Sequence, residues 1–191
     1  MTPEWCNDFA ARLCHNEGVR LWRYFDSMGI PSIGVGMNLT RAAWQHALVV
    51  AGVPLSATNA VKAGAMPLTV AQVQALLVYT DEPVIPEARA LLAPSHFDSW
   101  LSPARQCAFA DLTFNMGAAE LATFGMLIGF IDAGCHLLSV NDSAGAHAAF
   151  GSAASDLRST AYASQVGARA LRNAAMIESS NYVALDAFEA A

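Results

Sequence analysis

The chain carries little charge, and less of it positive than negative. Of 191 residues only 10 are Lys or Arg, against 16 Asp or Glu, giving a formal net charge of -6, and Lys62 is the one lysine. There is no basic stripe of the kind that phosphate-backbone recognition depends on, which argues against a nucleic-acid partner. Long-range attraction also cannot be the device that finds an anionic target. Recognition is left to hydrogen bonds and apolar contacts in a groove.

Long apolar runs are missing too, although 54% of the residues are hydrophobic and 14% charged. A membrane span needs roughly 20 continuous apolar residues. The stretch 42–61 is interrupted by Gln45, His46, Gly52, Pro54 and Asn59, and the stretch 63–80 by Pro67, Gln72 and Gln74. Both read as helices buried on wide faces. The start, Met1-Thr2-Pro3-Glu4-Trp5, has neither a basic nor an apolar leader region, so the expectation is a chain made in a cytosol without a signal or membrane anchor. The histidines His15, His46, His96, His136 and His147 show no His-Glu-x-x-His or paired spacing, which argues against zinc and any other metal cofactor. Cys6, Cys14, Cys107 and Cys135 lack metal-type spacing as well and are expected as reduced thiols. Cys6 and Cys14 fall near one helix face, but roughly 12 Å of axial rise in a regular helix prevents a bridge. Cys135 beside His136 is the one candidate nucleophile and base, although adjacent residues seldom face each other.

What is present reads as an α+β fold, mainly α. Thr2, Pro3 and Glu4 look like a cap, a first-turn proline and a dipole-matched acid, and Trp5, Phe9 and Leu13 recur every four residues, predicting a helix over about 3–15. The period then changes. Residues 21–26 and 32–37 read as two short strands around the turn Ser27-Met28-Gly29-Ile30-Pro31. Gly34 and Gly36 alternate with Ile33 and Val35 and strip one strand face to backbone, for a ligand's approach or for a bulge. From residue 40 the pattern is helical, seven or eight segments punctuated by Thr40, Thr69, Pro83, Pro94, Ser102-Pro103 and Asp142. Residues 52–68 are the least regular, the natural place for the chain to cross between lobes, and the Ala-rich tail from residue 144 is helix former.

Two carboxyls stand around the predicted hairpin. Glu17 follows the first helix and precedes Gly18, where the negative end of the helix dipole and partial burial behind the hairpin would both disfavour its charged form. Asp26, in a polar turn, should stay ionised. Carboxyls pushed in opposite directions are what glycosidic cleavage requires, one to protonate the leaving oxygen and the other to support the cation or activate a water. Ser32 can return a hydroxyl across the turn to hold that water. Taken singly, an acid near a turn is more often a solvated surface group.

The context of these residues resembles a known family. Asn16-Glu17-Gly18-Val19-Arg20-Leu21, Tyr24, Asp26 and Ser32-Ile33-Gly34-Val35-Gly36 resemble the signature of the T-even phage lysozymes, glycoside hydrolase family 24: a glutamate, eight residues, an aspartate, five residues, and a threonine before Ile-Gly-Ile-Gly. Leu101, Arg105, Cys107-Ala108 and Phe114-Asn115-Met116-Gly117 are similar to that family's central helix and its ending, and Arg169-Ala170-Leu171-Arg172 to a late helix. Ser32 stands where the family has threonine, and Met37 where it commonly has histidine.

The resemblance implies a lysozyme-like fold as a single domain over 1–191, with a small β-containing lobe over about 16–68 and a helical lobe from 1–15 and 69–191. It implies cleavage of the bond between N-acetylmuramic acid and N-acetylglucosamine in bacterial peptidoglycan, with inversion and without a cofactor. Glu17 would be the proton donor, Asp26 the second carboxylate and Ser32 the water-placing hydroxyl. Asn38, Phe114 and Asn115 would line the saccharide groove, although Phe114 also suits core packing. Arg169 would pair with the catalytic glutamate, or else be a helix-surface arginine. A monomer released through a holin to the periplasmic wall is the expected setting, with a virion-borne enzyme as the variant. The reading from another class is a degenerate fold that binds peptidoglycan, or builds a virion, without cutting.

Overall fold

The computed structural model describes residues 5–26, 28–80 and 84–188. It is mainly helical, 66% helix, with one small antiparallel sheet, as the composition and period changes predict. Contacts divide the chain into two compact units, residues 1–82 and 83–191.

The first unit opens with α1 (Trp5–Glu17), whose face Trp5, Phe9 and Leu13 is buried at the predicted spacing. The expected cap at Thr2 to Glu4 lies outside the described residues. The helix runs two residues beyond the expected end and stops where Gly18 turns to φ +76, a left-handed conformation that costs glycine nothing. Three strands follow: β1 (Arg20–Phe25), β2 (Pro31–Gly34) and β3 (Met37–Asn38), in the order β1-β2-β3. The expected second strand is thus broken in two. Gly34 (φ +67) and Gly36 (φ +75) turn the chain, so Met37 and Asn38 fold back beside Ile33 and Ser32. Gly34 is buried, and a Cβ there would make only ordinary contact with Val73 Cγ1 at 3.4 Å, so the positive φ is what calls for glycine.

Val73 belongs to α4 (Val70–Thr80), preceded by α2 (Trp44–Val50), a 3-10 turn (Leu55–Ala57) and α3 (Thr58–Ala63). Residues 52–68 therefore hold helical turns and lie inside the first unit. Thr69 and Gln72 form a reciprocal cap, each backbone N–H donating to the other's side chain, at 2.9 and 3.2 Å. Thr40 does not cap α2 as expected. Its N–H and hydroxyl both donate to Asn38 Oδ1, because the Asn side chain closes the turn after β3 first. Ile33, Leu39, Leu48, Val61, Val73 and Leu76 form this unit's core, and Met37 packs against it with an apolar side chain.

The second unit contains α5 (Val84–Ala90), α6 (His96–Trp100), α7 (Pro103–Met116), α8 (Ala118–Leu121), α9 (Gly125–Ser139), α10 (Ser143–Arg158), α11 (Ala161–Val166) and α12 (Ala168–Ser179). Several are one or two turns long, which is why pattern reading undercounts them. Ser102 and Asp142 cap α7 and α10 as predicted, and Thr160 adds an unforeseen cap on α11. Helix α7 is buried along its length and packs on α12, while α10 packs on α9 and α12. Among the described residues no helix is long and apolar enough to cross a membrane.

The α9–α10 contact is set by Gly134. A Cβ there would lie 2.8 Å from the Phe150 ring, and Phe150 cannot yield because it is buried with the Arg105 guanidinium 3.5 Å from its ring centre. Alanine improves helix propensity by about 1 kcal/mol, but overpacking a closed core costs roughly 1–3 kcal/mol. We expect Gly134→Ala to lower the urea midpoint, whereas Gly129→Ala, with nothing near its Cβ, should raise or keep it.

Candidate active site

Glu17 is the last residue of α1, so it meets the negative end of the helix dipole as expected. It is exposed. The partial burial anticipated behind the hairpin is absent.

Asp26 and Ser32 belong to one hydrogen-bonded hairpin. Asp26 Oδ1 accepts the N–H groups of Met28 (2.8 Å) and Ile30 (2.9 Å), and its own N–H donates to the Ile30 carbonyl at 3.0 Å. The acid therefore shapes the turn on which it sits. Ser32 Oγ donates to the same Ile30 carbonyl at 3.3 Å, and the residue is 1% exposed. Its hydroxyl is turned into the hairpin, and it could meet a water only through an oxygen lone pair. Ser32 is in register with Tyr24 on β1 and Asn38 on β3, so Asp26, Ser32 and Asn38 form a continuous group joined through Ile30 and the sheet. Asn38 is half-buried and spends its side-chain oxygen on Thr40.

Strand β1 is bulged. Arg20 pairs with Gly34 and Tyr24 with Ser32, so β1 uses two more residues than β2 over this interval. A bulge shortens and twists a strand and re-aims its side chains. Here it lies in the strand that links α1, which ends at Glu17, to the turn that begins at Asp26.

The remaining candidates lie in the second unit. Arg169 is buried, not on a helix surface: its Nε and Nη2 donate to the two oxygens of Asp111 at 2.9 and 2.8 Å. Asn173 Nδ2 also donates to Asp111 Oδ2, at 2.7 Å. Sequence reasoning passed over Asp111 and Asn173. The signal was available, because Asp111 is the one acid in the apolar run of α7, and a carboxylate survives in such a place only with a partner.

Asn115, half-buried near the end of α7, donates from Nδ2 to the Tyr162 hydroxyl at 2.8 Å. Both residues line a cleft of about 390 Å³ with Glu120, Phe124 and Gln165. Such amides and rings can bind a polar ligand with apolar faces. Phe114, one residue before, is half-buried. The sequence matches no family model and no curated protein.

The competing nucleophile is removed. Cys135 is buried while His136 is exposed, so the two point to different surroundings from adjacent positions on α9. Burial, aided by Asp132 and opposed by Arg105, pushes the Cys135 thiol up to about 12 and keeps it protonated at neutral pH. Arg105 is lowered by burial to about 10, remains charged, and donates from Nε to the Ile177 carbonyl at 2.7 Å and from Nη2 to that of Glu178 at 3.2 Å, closing the end of α12. Asp132 takes the Ala93 N–H at 3.0 Å and His96 Nδ1 at 2.8 Å and so ties α9 to α6. Among the described residues no group of three or more His, Cys, Asp or Glu could hold a metal ion.

Proposed function

We propose that the chain is a lysozyme-like peptidoglycan hydrolase that cleaves the bond between N-acetylmuramic acid and N-acetylglucosamine, with Glu17 as general acid. The observation that carries this reading is the disposition of two carboxyls about one hairpin: Glu17 exposed at the end of α1, and Asp26 fixed by the turn amides at the far end of the bulged β1. The spacing of Glu17, Asp26 and Ser32 that resembles the phage lysozymes supports it, as does a mainly helical chain with one small sheet. Glu17 gives its proton to the glycosidic oxygen as the bond to the anomeric carbon breaks. Water adds to that carbon from the opposite face and loses its proton to Asp26, which passes it to solvent. Asn38, in register with Ser32 on the same sheet, supplies an amide of the kind that reads N-acetyl and hydroxyl substituents.

A second reading is a wall-binding protein that does not cut, and the inward hydroxyl of Ser32 favours it, because the group expected to place the water is committed to Ile30. Permeabilised Gram-negative cells and purified wall separate the two. The hydrolase clears the cells and sediments with the wall, whereas a binder sediments with the wall and leaves the cells turbid.

A further inference from the structure

The hairpin carries a surface that the proposed chemistry does not use. Trp22, Phe25 and Met28, three apolar side chains within seven positions, are 54%, 58% and 81% exposed. Burying none of them is costly in water, and such exposure at one element marks an interaction surface. Their neighbours are cationic. The Arg20 guanidinium lies 4.5 Å from the Tyr24 ring centre and that of Arg23 4.7 Å from the Phe25 ring centre.

The charge along the chain is uneven in the same sense. Between Gly18 and Thr80 the only acid is Asp26, against Arg20, Arg23, Arg41 and Lys62, in a chain whose net charge is -6. Asp26 is itself turned onto the backbone of the turn. The hairpin thus presents positive charge with exposed apolar side chains, and its one acid, Asp26, is held on the turn amides.

We propose that this hairpin docks on an anionic lipid surface, seating Trp22, Phe25 and Met28 at the acyl boundary with Arg20 and Arg23 among the headgroups. Three observations select this occupant. An added β-strand is disfavoured, because β1 is bulged and the Leu21 carbonyl already accepts the Leu68 N–H at 2.8 Å. A sugar platform is built from several open ring faces, and here Tyr24 and Phe25 each have an arginine over the ring, Met28 has no ring, and Trp22 is left as a single exposed ring. A second copy would bring together two chains that each carry a net charge of -6. Tryptophan, phenylalanine and arginine side by side are the composition of a bilayer interface.

The test uses the full chain, without catalysis, so it stands or falls apart from the hydrolase reading. Flotation is measured with vesicles of phosphatidylcholine alone and with an equal part of phosphatidylglycerol. The expected result is flotation with the anionic vesicles only, weakened by salt, with a blue shift of tryptophan emission. Arg20→Gln with Arg23→Gln should lower partitioning about 25-fold, from two lost charges near an anionic surface. Trp22→Ser with Met28→Ser should abolish flotation, and Trp22→Phe should keep flotation but lose the emission shift. Unchanged thermal melting shows that these exposed changes leave the fold intact. No flotation, flotation indifferent to the substitutions, or substitutions that instead abolish binding to soluble wall glycan or a concentration-dependent dimer would each overturn the proposal.

Discussion

Glu17→Gln should reduce the release of reducing sugar from purified wall by about 10² to 10⁴-fold, the range expected when a positioned general acid is removed. Glutamine keeps the size and polarity of the side chain and removes only the transferable proton. Glu17 is exposed at the end of α1, so no core contact is lost. A carboxylate at that end also opposes the helix dipole, and relief of that opposition offsets the loss of an exposed contact worth about 1 kcal/mol or less, so the melting temperature should change little. Activity falling while stability holds or rises is the signature of a residue kept for chemistry. If the variant retains more than a tenth of the parent's rate, Glu17 is not the acid. Sedimentation with the wall should be unchanged, since binding belongs to other groups.

The second large effect is expected at Asp111, and it falls on stability. Asp111 is buried in α7 and accepts three hydrogen bonds, two from Arg169 and one from Asn173 on α12. Asp111→Ala removes the counter-charge from a buried guanidinium and leaves the amide's bond unmade, a loss of roughly 3–5 kcal/mol. For a chain of this size that is a fall of about 10 °C in the melting midpoint. The exposed pair Arg89–Asp98 provides the contrast: at 2.9 Å it is as short, but both side chains are open to solvent, and Asp98→Ala should cost about 1 kcal/mol or less. A paired replacement, Asp111→Leu with Arg169→Met, should recover much of the single loss, because a buried ion pair offsets its own desolvation only when complete. An Asp111→Ala melt indistinguishable from that of Asp98→Ala would contradict this view of the α7–α12 contact.

Where a residue's role is decided by its immediate neighbours in the chain, it could be read in advance. Ser102, Asp142 and Thr69 cap the helices predicted for them, and the face of Trp5, Phe9 and Leu13 is buried at its spacing of four. Two short strands about a turn were legible from alternation and from Gly29. The third strand was not, because its two residues are too few to show a period, and its existence depends on the positive φ of Gly34 and Gly36. The bulge in β1 was equally hidden. Two extra residues change which side chains share a face, and alternation cannot signal a defect in itself.

The candidate site divides along the same line. That Glu17 stands at the end of α1 and Asp26 in the turn follows from local pattern, although the helix was expected to end near residue 15 and Glu17 to lie just past it, whereas Gly18 stops it two residues later. Burial is a property of the assembled unit, and it went the other way for two residues. Glu17 is exposed where cover was expected, and Ser32 is buried with its hydroxyl on Ile30 where an open hydroxyl was expected. Arg169 shows why distance in sequence matters. Its partner Asp111 lies 58 positions away, and only the packing of α12 on α7 brings the two together.

The most direct test of the central claim is the chemistry of the product. Purified peptidoglycan is digested with the parent protein, and the new chain ends are identified, with the anomer followed by NMR from the first minutes. New reducing ends of N-acetylmuramic acid are expected, appearing as the α anomer before mutarotation because a β bond is cleaved with inversion. Wall that gains no reducing sugar, whether it stays whole or opens at its peptide bonds, would contradict the claim.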